Sequence, residues 1–408
     1  MIARAFLRFT KRAPVIGTDT DLAAAGGLLT IDLDAVAANY DMLRAEAAGA
    51  EVSAVVKANA YGLGMGPVAR RLAAEGCRSF FVAEANEGAA LRALLPDAEI
   101  YVLNGLFPGT AGFYAAHGLV PCLASMAEVA EWREAAKGGS LKAALHFDTG
   151  MNRLGMSEAD AAALAAEGAL TAGIEVRLIM SHLACADDAA SPMNARQLAR
   201  FRGLRTILAG RFAGAKASLA NSGGIYLGKD YHFDLVRPGV SLYGGSPFTG
   251  REHPFRPAVT VEARVLAVRE MAAEETAGYG ATWKARGTAR MAVLAAGYAD
   301  GYMRALSSPR PNGDGGDDYG GQVRIAGYTA PVAGRISMDM LIVDVSGLPE
   351  GAVKRGDMAE LIGPHITVDD VGLKAGTLGY EILTSLGGRY MRIYVSGGKA
   401  MTEGGGRV

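Results

Sequence analysis

The sequence predicts an α/β protein: an N-terminal (β/α)8 barrel of the TIM type followed by a mainly-β domain. Three observations carry that expectation. From Leu28 onward, short β-rich runs alternate with Ala/Leu/Glu/Arg-rich segments of helical period. About eight such strand–helix units in roughly 230 residues suit a closed barrel better than an open sheet. Near Arg256 the alternation stops, and strand-like runs follow with few helical segments between them. No Gly-x-Gly-x-x-Gly fingerprint suggests a dinucleotide-binding sheet instead.

Taken in order, residues 1–26 are expected to be a poorly ordered extension. Arg4, Arg8, Lys11 and Arg12 break up its apolar residues, so the uninterrupted apolar region of a signal peptide is not seen. The barrel is placed at residues 27–255. Its strands are expected at 28–33, 52–56, 79–82, 99–103, 119–122, 141–147, 174–180, 216–219 and 235–240. Helices are expected at 33–48, 65–74, 87–94, 125–136, 158–166 and 195–208, each with apolar positions that suit one buried stripe. Asp34, and Ser125 three residues before Glu128, are helix-start signals. The β domain is placed at residues 256–400, with strands at 259–269, 289–295, 322–326, 340–345 and 358–362. Residues 309–321 form a polar, Gly-rich loop. Asp314, Asp317 and Asp318 within it lack EF-hand spacing, and no metal is expected.

Composition narrows the function. Half of the 408 residues are hydrophobic, and 41 basic against 42 acidic residues leave a formal charge of −1. No basic stripe suggests nucleic acid, and no polybasic block an anionic membrane. No apolar run approaches the roughly 20 residues of a membrane span. Cys77, Cys122 and Cys185 form no CxxC pattern or disulfide framework, which favours the reducing cytoplasm.

The chemistry concentrates at a few strand ends. An apolar run, Val52 to Val56, delivers Lys57 to its end, and Ala58-Asn59-Ala60-Tyr61-Gly62-Leu63-Gly64 follow at once. Burying an ammonium is costly, but burial lowers its pKa, and a neutral amine can form a Schiff base with a carbonyl cofactor. Gly62 and Gly64 suit the positive φ of a tight loop. After another strand, Asn221-Ser222-Gly223-Gly224 offers N–H groups and a hydroxyl to a phosphate.

The Lys57 string resembles the pyridoxal phosphate (PLP) lysine motif of the alanine racemase family, PLP enzymes of fold type III. Further segments resemble that family in its chain order, from Leu28 to Tyr394. The resemblance implies that Lys57 carries PLP and acts as one of two catalytic bases. Tyr61, Asn221, Ser222 and the backbone N–H groups of Gly239 and Val240 would serve the cofactor phosphate. Arg153, in Asp148-Thr149-Gly150-Met151-Asn152-Arg153, would meet the cofactor's phenolic oxygen and the substrate carboxylate; His182 would pack on the pyridine ring. Arg237 would donate to the ring nitrogen; being always protonated, it would keep that nitrogen unprotonated and the ring a weaker electron sink.

In the β domain, Gly278-Tyr279-Gly280-Ala281 resembles the second-base motif, with Tyr279 opposing Lys57 across the substrate. A phenol needs a nearby cation to work as a base near neutral pH. Tyr298 and the Met338 N–H would line the substrate site, and Tyr380 would sit near the phosphate. The family's β domain completes the partner's barrel mouth, which implies an obligatory homodimer with Tyr279 acting in trans. At His146 many relatives have a carbamylated lysine that orients the arginine; imidazole forms no carbamate, so another anion or direct hydrogen bonding must place Arg153.

The implied reaction interconverts L- and D-alanine, for peptidoglycan supply or alanine breakdown. A serine or broader racemase of the same architecture stays open. A related PLP decarboxylase would lack the Gly-Tyr-Gly-Ala motif, and a non-catalytic PLP-binding barrel would lack the β domain.

Overall fold

The computed structural model describes residues 19–308 and 320–401. Two compact units divide the described residues: 35–256, and 19–34 together with those described from 257 onward. Among the described residues no helix is long and apolar enough to cross a membrane.

The 35–256 unit is a parallel barrel. Seven strands run in the order Ala54–Val55, Ser79–Val82, Glu99–Val102, Val120–Leu123, Leu141–His146, Ile174–Met180 and Lys216–Ser218. An eighth, Leu235–Val236, pairs in parallel with Glu51–Val52. On its other side Asp234 N donates to Ala217 O (3.0 Å) and Arg237 N to Ala220 O (2.9 Å), closing the ring. Ser53 interrupts the first strand, giving both its N–H and its hydroxyl to Val236 O. Ser79–Val82 and Val120–Leu123 are buried along their whole length, as parallel strands covered on both faces must be. Val55, Phe81, Tyr101, Cys122, Leu178 and Leu235 belong to the core cluster inside the ring, with Phe81 stacked on Tyr101 at 4.6 Å.

Helices occur at Leu33–Glu46, Met65–Ala74, Ala85–Leu94, Met126–Ala135, Glu158–Ala166 and Pro192–Leu208, close to the expected positions, and an unanticipated one at Ala111–Ala116. Ser125 caps its helix by accepting from Glu128 N (3.3 Å). Asp34 is not a cap: its own N–H donates to Asp32 Oδ1. A cavity of about 690 Å³ opens at the N-terminal ends of the strands, lined by ion pairs such as Glu51–Lys216 and Glu99–Arg177. Barrel chemistry sits at the opposite, C-terminal ends.

The other unit is built on one long strand, Val259–Met271. Its first half pairs with Gly27–Asp32 and Met358–Ile362; after a register shift between Val265 and Ala267, its second half pairs with Ala289–Leu294. Gln322–Ile325, Tyr328–Pro331, Leu341–Asp344, Met391–Ser396 and Lys399–Met401 complete the sheet. Two helices not anticipated from sequence, Val368–Ala375 and Gly379–Ser385, belong to this unit.

Two expectations are corrected. The strand expected at 28–33 is not a barrel strand: Gly27–Asp32 pairs antiparallel with Val259–Met271 and parallel with Met391–Ser396. Its alternating burial gives it one covered face, which suits the β unit's sheet and not a barrel wall. The end of the 1–26 extension is ordered: Asp19–Ala24 is helical, and Arg264 donates to Leu22 O (3.1 Å) and Ala25 O (3.0 Å). Residues 1–18 of that extension, and 309–319 of the expected Gly-rich loop, lie outside the described residues.

Candidate active site

Lys57 stands two residues beyond Ala54–Val55, where the chain makes an unusual turn. Ala58, Asn59, Ala60 and Tyr61 have φ of 52°, 57°, 54° and 54°, one left-handed helical turn. Side chains with a Cβ resist that region by about 1–2 kcal/mol per residue, so four in a row need support. Gly62 N bonds to Ala58 O, Gly64 N to Asn59 O, and Met65 N to Asn59 Oδ1 (2.8 Å). Gly62 and Gly64 continue at positive φ, as their sequence positions suggest. The turn carries Tyr61 from Lys57 to Gly239, where an added Cβ would lie 2.3 Å from the Tyr61 hydroxyl. Burial, and then the Arg153 guanidinium, hold the Lys57 ammonium below its ordinary pKa, with Glu87 opposing.

Gly239 N donates to Ser222 Oγ at 2.9 Å. The Ser222 hydroxyl proton therefore remains free to donate beside the Tyr61 hydroxyl. Asn221 shapes this loop, accepting from Gly224 N. Val240 begins the next short helical turn, Val240–Tyr243, and the Tyr243 ring packs on Tyr61 at 4.9 Å. Two hydroxyls around a glycine that admits no side chain make a cradle of the right donor type for a phosphate.

Arg237 follows Leu235–Val236 and is 3% exposed. It donates to Ser181 O (2.5 Å), Leu219 O (3.4 Å) and Ser218 Oγ. None of these partners is a carboxylate. Burial pulls its guanidinium down to about 10, so it stays cationic at neutral pH.

Two histidines lie in the same cationic field. Burial, then Arg237 and Arg153, push His182 well below its ordinary value. The same causes push buried His146 down to about 4. The His146 Nδ1 has no hydrogen-bond partner among the described residues. Arg153 is exposed. Asp148, an obvious mate for it in sequence, accepts instead from the backbone of Gly150, Met151 and Asn152.

Neutral burial of His146 has a consequence in acid. The unfolded imidazole takes up a proton near pH 6.5 and the folded one only near 4. Between these values the unfolded state binds more protons, so stability falls as pH falls. About 3 kcal/mol is expected to be lost across that window. Urea unfolding at pH 7 and pH 4 measures the loss, and His146→Phe should reduce it; an equal loss in that variant would refute the assignment.

The residues expected from the β unit form their own group. Tyr279 is 72% exposed, between Gly278 and Gly280, each at φ 74°. An added Cβ on Gly280 would lie 2.7 Å from Arg335 Nη1, so a guanidinium borders the tyrosine's turn. Tyr298 N donates to Ser337 O and Ala299 N to Met338 O, tying two expected lining segments together. Arg389 grips both oxygens of Asp300 at 2.6 Å and reaches Asp339 at 2.6 Å. Asp300 in turn accepts from Gly297 N. Tyr298 and Met338 are 43% and 53% exposed. Tyr380 is half-buried in the first turn of Gly379–Ser385.

The barrel and β-unit sequences match two family models in tandem: alanine racemase N-terminal domain over residues 31–247, and alanine racemase C-terminal domain over residues 258–394. The chain belongs to the alanine racemase family. The alanine racemase of Methylobacterium nodulans is 50% identical over 374 residues, covering 91% of this chain and 97% of that protein. That of Rhizobium meliloti is 45% identical, covering 92% and 98%. A crystal structure of alanine racemase from Bartonella henselae, described with covalently bound pyridoxal phosphate, superposes with a TM-score of 0.84 at 40% identity. It covers 91% of this chain and 100% of that one.

Several polar residues around these strand ends escaped the sequence reading. Gln197, fully buried, donates to His182 O (2.8 Å) and Thr149 Oγ1 (3.0 Å), and accepts from Ala184 N. Thr149 bonds Ser181 (2.7 Å). Together they join the two strand ends that present Arg153 and His182. A glutamine inside a helical stripe of apolar residues was the available signal. Glu87 was read only as part of a helix; it reaches Ala58 N at 2.6 Å.

Proposed function

We propose that the protein interconverts L- and D-alanine with pyridoxal phosphate carried on Lys57, as a cytoplasmic homodimer. The observation that carries this reading is the left-handed turn. It links a lysine of lowered pKa to a tyrosine hydroxyl set beside Ser222 and Gly239. Family membership, and the pyridoxal phosphate named for the Bartonella henselae structure, support it.

The site residues fit the cofactor. Tyr61, the Ser222 hydroxyl and the Val240 N–H would hold its phosphate, with the Gly239 N–H given to Ser222 Oγ; Arg237 would meet its ring nitrogen, His182 its ring face and Lys57 its carbonyl carbon. When bound, the cofactor withdraws electrons from the substrate Cα and so acidifies the α-proton.

The chain's own groups then move that proton. Lys57 Nζ, held below its ordinary pKa, accepts or returns it on one face of Cα. Tyr279 Oη does the same on the other face, because one lysine cannot reach both. Arg153 and the Met338 N–H would hold the carboxylate, and Tyr298 would line the entrance. Arg237, always protonated itself, would leave the ring nitrogen unprotonated, which would limit electron withdrawal and favour prompt return of the proton. The exposure of Tyr279, Tyr298 and Met338 within one chain supports their covering a partner's barrel in the homodimer. The free thiols of Cys77, Cys122 and Cys185 support a reducing compartment.

The test is racemisation in D2O of separate amino acids by purified protein with PLP, following chirality and α-deuterium together. Both alanine enantiomers should lose chirality rapidly and gain deuterium, with serine slow. Exchange without inversion would remove the two-base reading. No exchange with PLP bound would remove the enzyme.

A further inference from the structure

The start of the left-handed turn after Lys57 is tied to a neighbouring helix by a carboxylate. Most of the turn's bonds are local: Ala60 N to Val56 O, Gly62 N to Ala58 O, Gly64 N to Asn59 O. The N–H of Ala58, directly after Lys57, instead donates to Glu87 Oε1 at 2.6 Å, across 29 positions of sequence. The other oxygen, Oε2, accepts from Ala83 N (2.9 Å) and Glu84 N (3.2 Å), as the capping box of Ala85–Leu94 requires. A capping box alone needs only the second oxygen. The first is committed to the residue beside the lysine.

Position and charge coincide here. Arg153 and His182 share the electrostatic surroundings of Lys57 with Glu87, and Glu87 is the carboxylate among them. The far end of the turn is Tyr61, against Gly239. A carboxylate that fixes Ala58 therefore bears on both the amine and the phosphate cradle.

We propose that Glu87 is a positioning residue for racemisation, bridging the Ala85–Leu94 helix to the left-handed turn and so setting Lys57 and Tyr61 relative to the cofactor. This rests on reading Lys57 as the cofactor lysine. Glutamine at 87 offers one acceptor oxygen where two are used, so it can serve the helix or the turn but not both. Alanine serves neither.

Three variants separate the roles: Glu87→Ala, Glu87→Gln and, as a control, Glu84→Ala, which weakens the same helix start without touching Ala58. Two readouts are taken. The first is the pH dependence of Lys57 acylation in the PLP-free protein, by acetic anhydride and peptide mass spectrometry. The second is kcat and KM for alanine in the PLP-loaded enzyme. Both Glu87 variants should shift half-maximal acylation to lower pH, by roughly one unit. Their kcat should fall by roughly 10- to 100-fold, with a smaller change in KM. Glu84→Ala should match wild type in both readouts within about twofold. A Glu87→Gln protein with wild-type acylation profile and kcat would overturn the proposal. So would a Glu84→Ala protein as impaired as Glu87→Ala, because helix capping would then explain the loss. Borohydride reduction of the wild-type holoenzyme and peptide mapping locate the cofactor independently. Cofactor on another lysine would sink the Lys57 reading itself, whatever the Glu87 variants do.

Discussion

Replacing Tyr279 with phenylalanine is expected to cut alanine racemisation by about 10²–10⁴-fold, the range for losing one positioned proton donor–acceptor. The fold should not register the change. Tyr279 is 72% exposed in its own chain, so removing its hydroxyl opens no cavity and strands no buried partner. The apo melting temperature should therefore stay close to wild type. The informative signature is an asymmetry. With Lys57 intact, the α-proton on the lysine's face still exchanges with solvent, while delivery to the opposite face fails. One alanine enantiomer should gain deuterium with retained configuration, read by NMR and chiral chromatography together. Undiminished inversion in Tyr279→Phe would remove the tyrosine from the chemistry. Arg335, whose guanidinium lies against Gly280, is a cation beside that turn.

The barrel was legible because its strands are short, apolar and spaced by helices of clear period. The one misassigned strand shows where that reading gives out. Leu28–Leu33 has the length and composition of a barrel strand, but Thr30 and Asp32 alternate with buried Leu29 and Ile31. That is the period of a sheet with one wet face, whereas Ser79–Val82 is buried throughout. Its partners, Val259–Met271 and Met391–Ser396, lie more than 200 residues away. No local signal specifies such pairing.

At the site, Lys57 stood out as a lysine at the end of an apolar strand, whereas Tyr61, Ser222 and Arg237 took their roles from the resemblance to the family. The left-handed turn did not stand out. Ala58 and Ala60 are ordinary helix formers by composition, and only the surroundings of the turn, Glu87 and Asn59 included, hold them at positive φ. Glu87 was hidden for a related reason: in sequence it is one more acid in the first turn of a helix.

Removing the amine altogether separates function from stability. Lys57→Ala is expected to lower racemisation by at least about 10⁴-fold, since cofactor attachment and one of two bases go together. Stability should move the other way. Burial, then Arg153, depress the Lys57 pKa in the folded chain below its unfolded value. In the unfolded chain the amine binds a proton at about pH 10 and below, while the folded chain binds it less tightly. Stability attributable to this group is thus present above the unfolded pKa and is lost as pH falls through the folded one. At pH 7 the alanine variant escapes that loss, and its PLP-free form should unfold at the same or higher urea concentration than wild type. Its advantage should shrink as pH is raised toward 10. On the proposed reading, Lys57 is kept for its chemistry at a cost to the fold. A variant that is both inactive and markedly less stable would instead make Lys57 a structural residue, and its burial between Val56 and the left-handed turn would need another explanation.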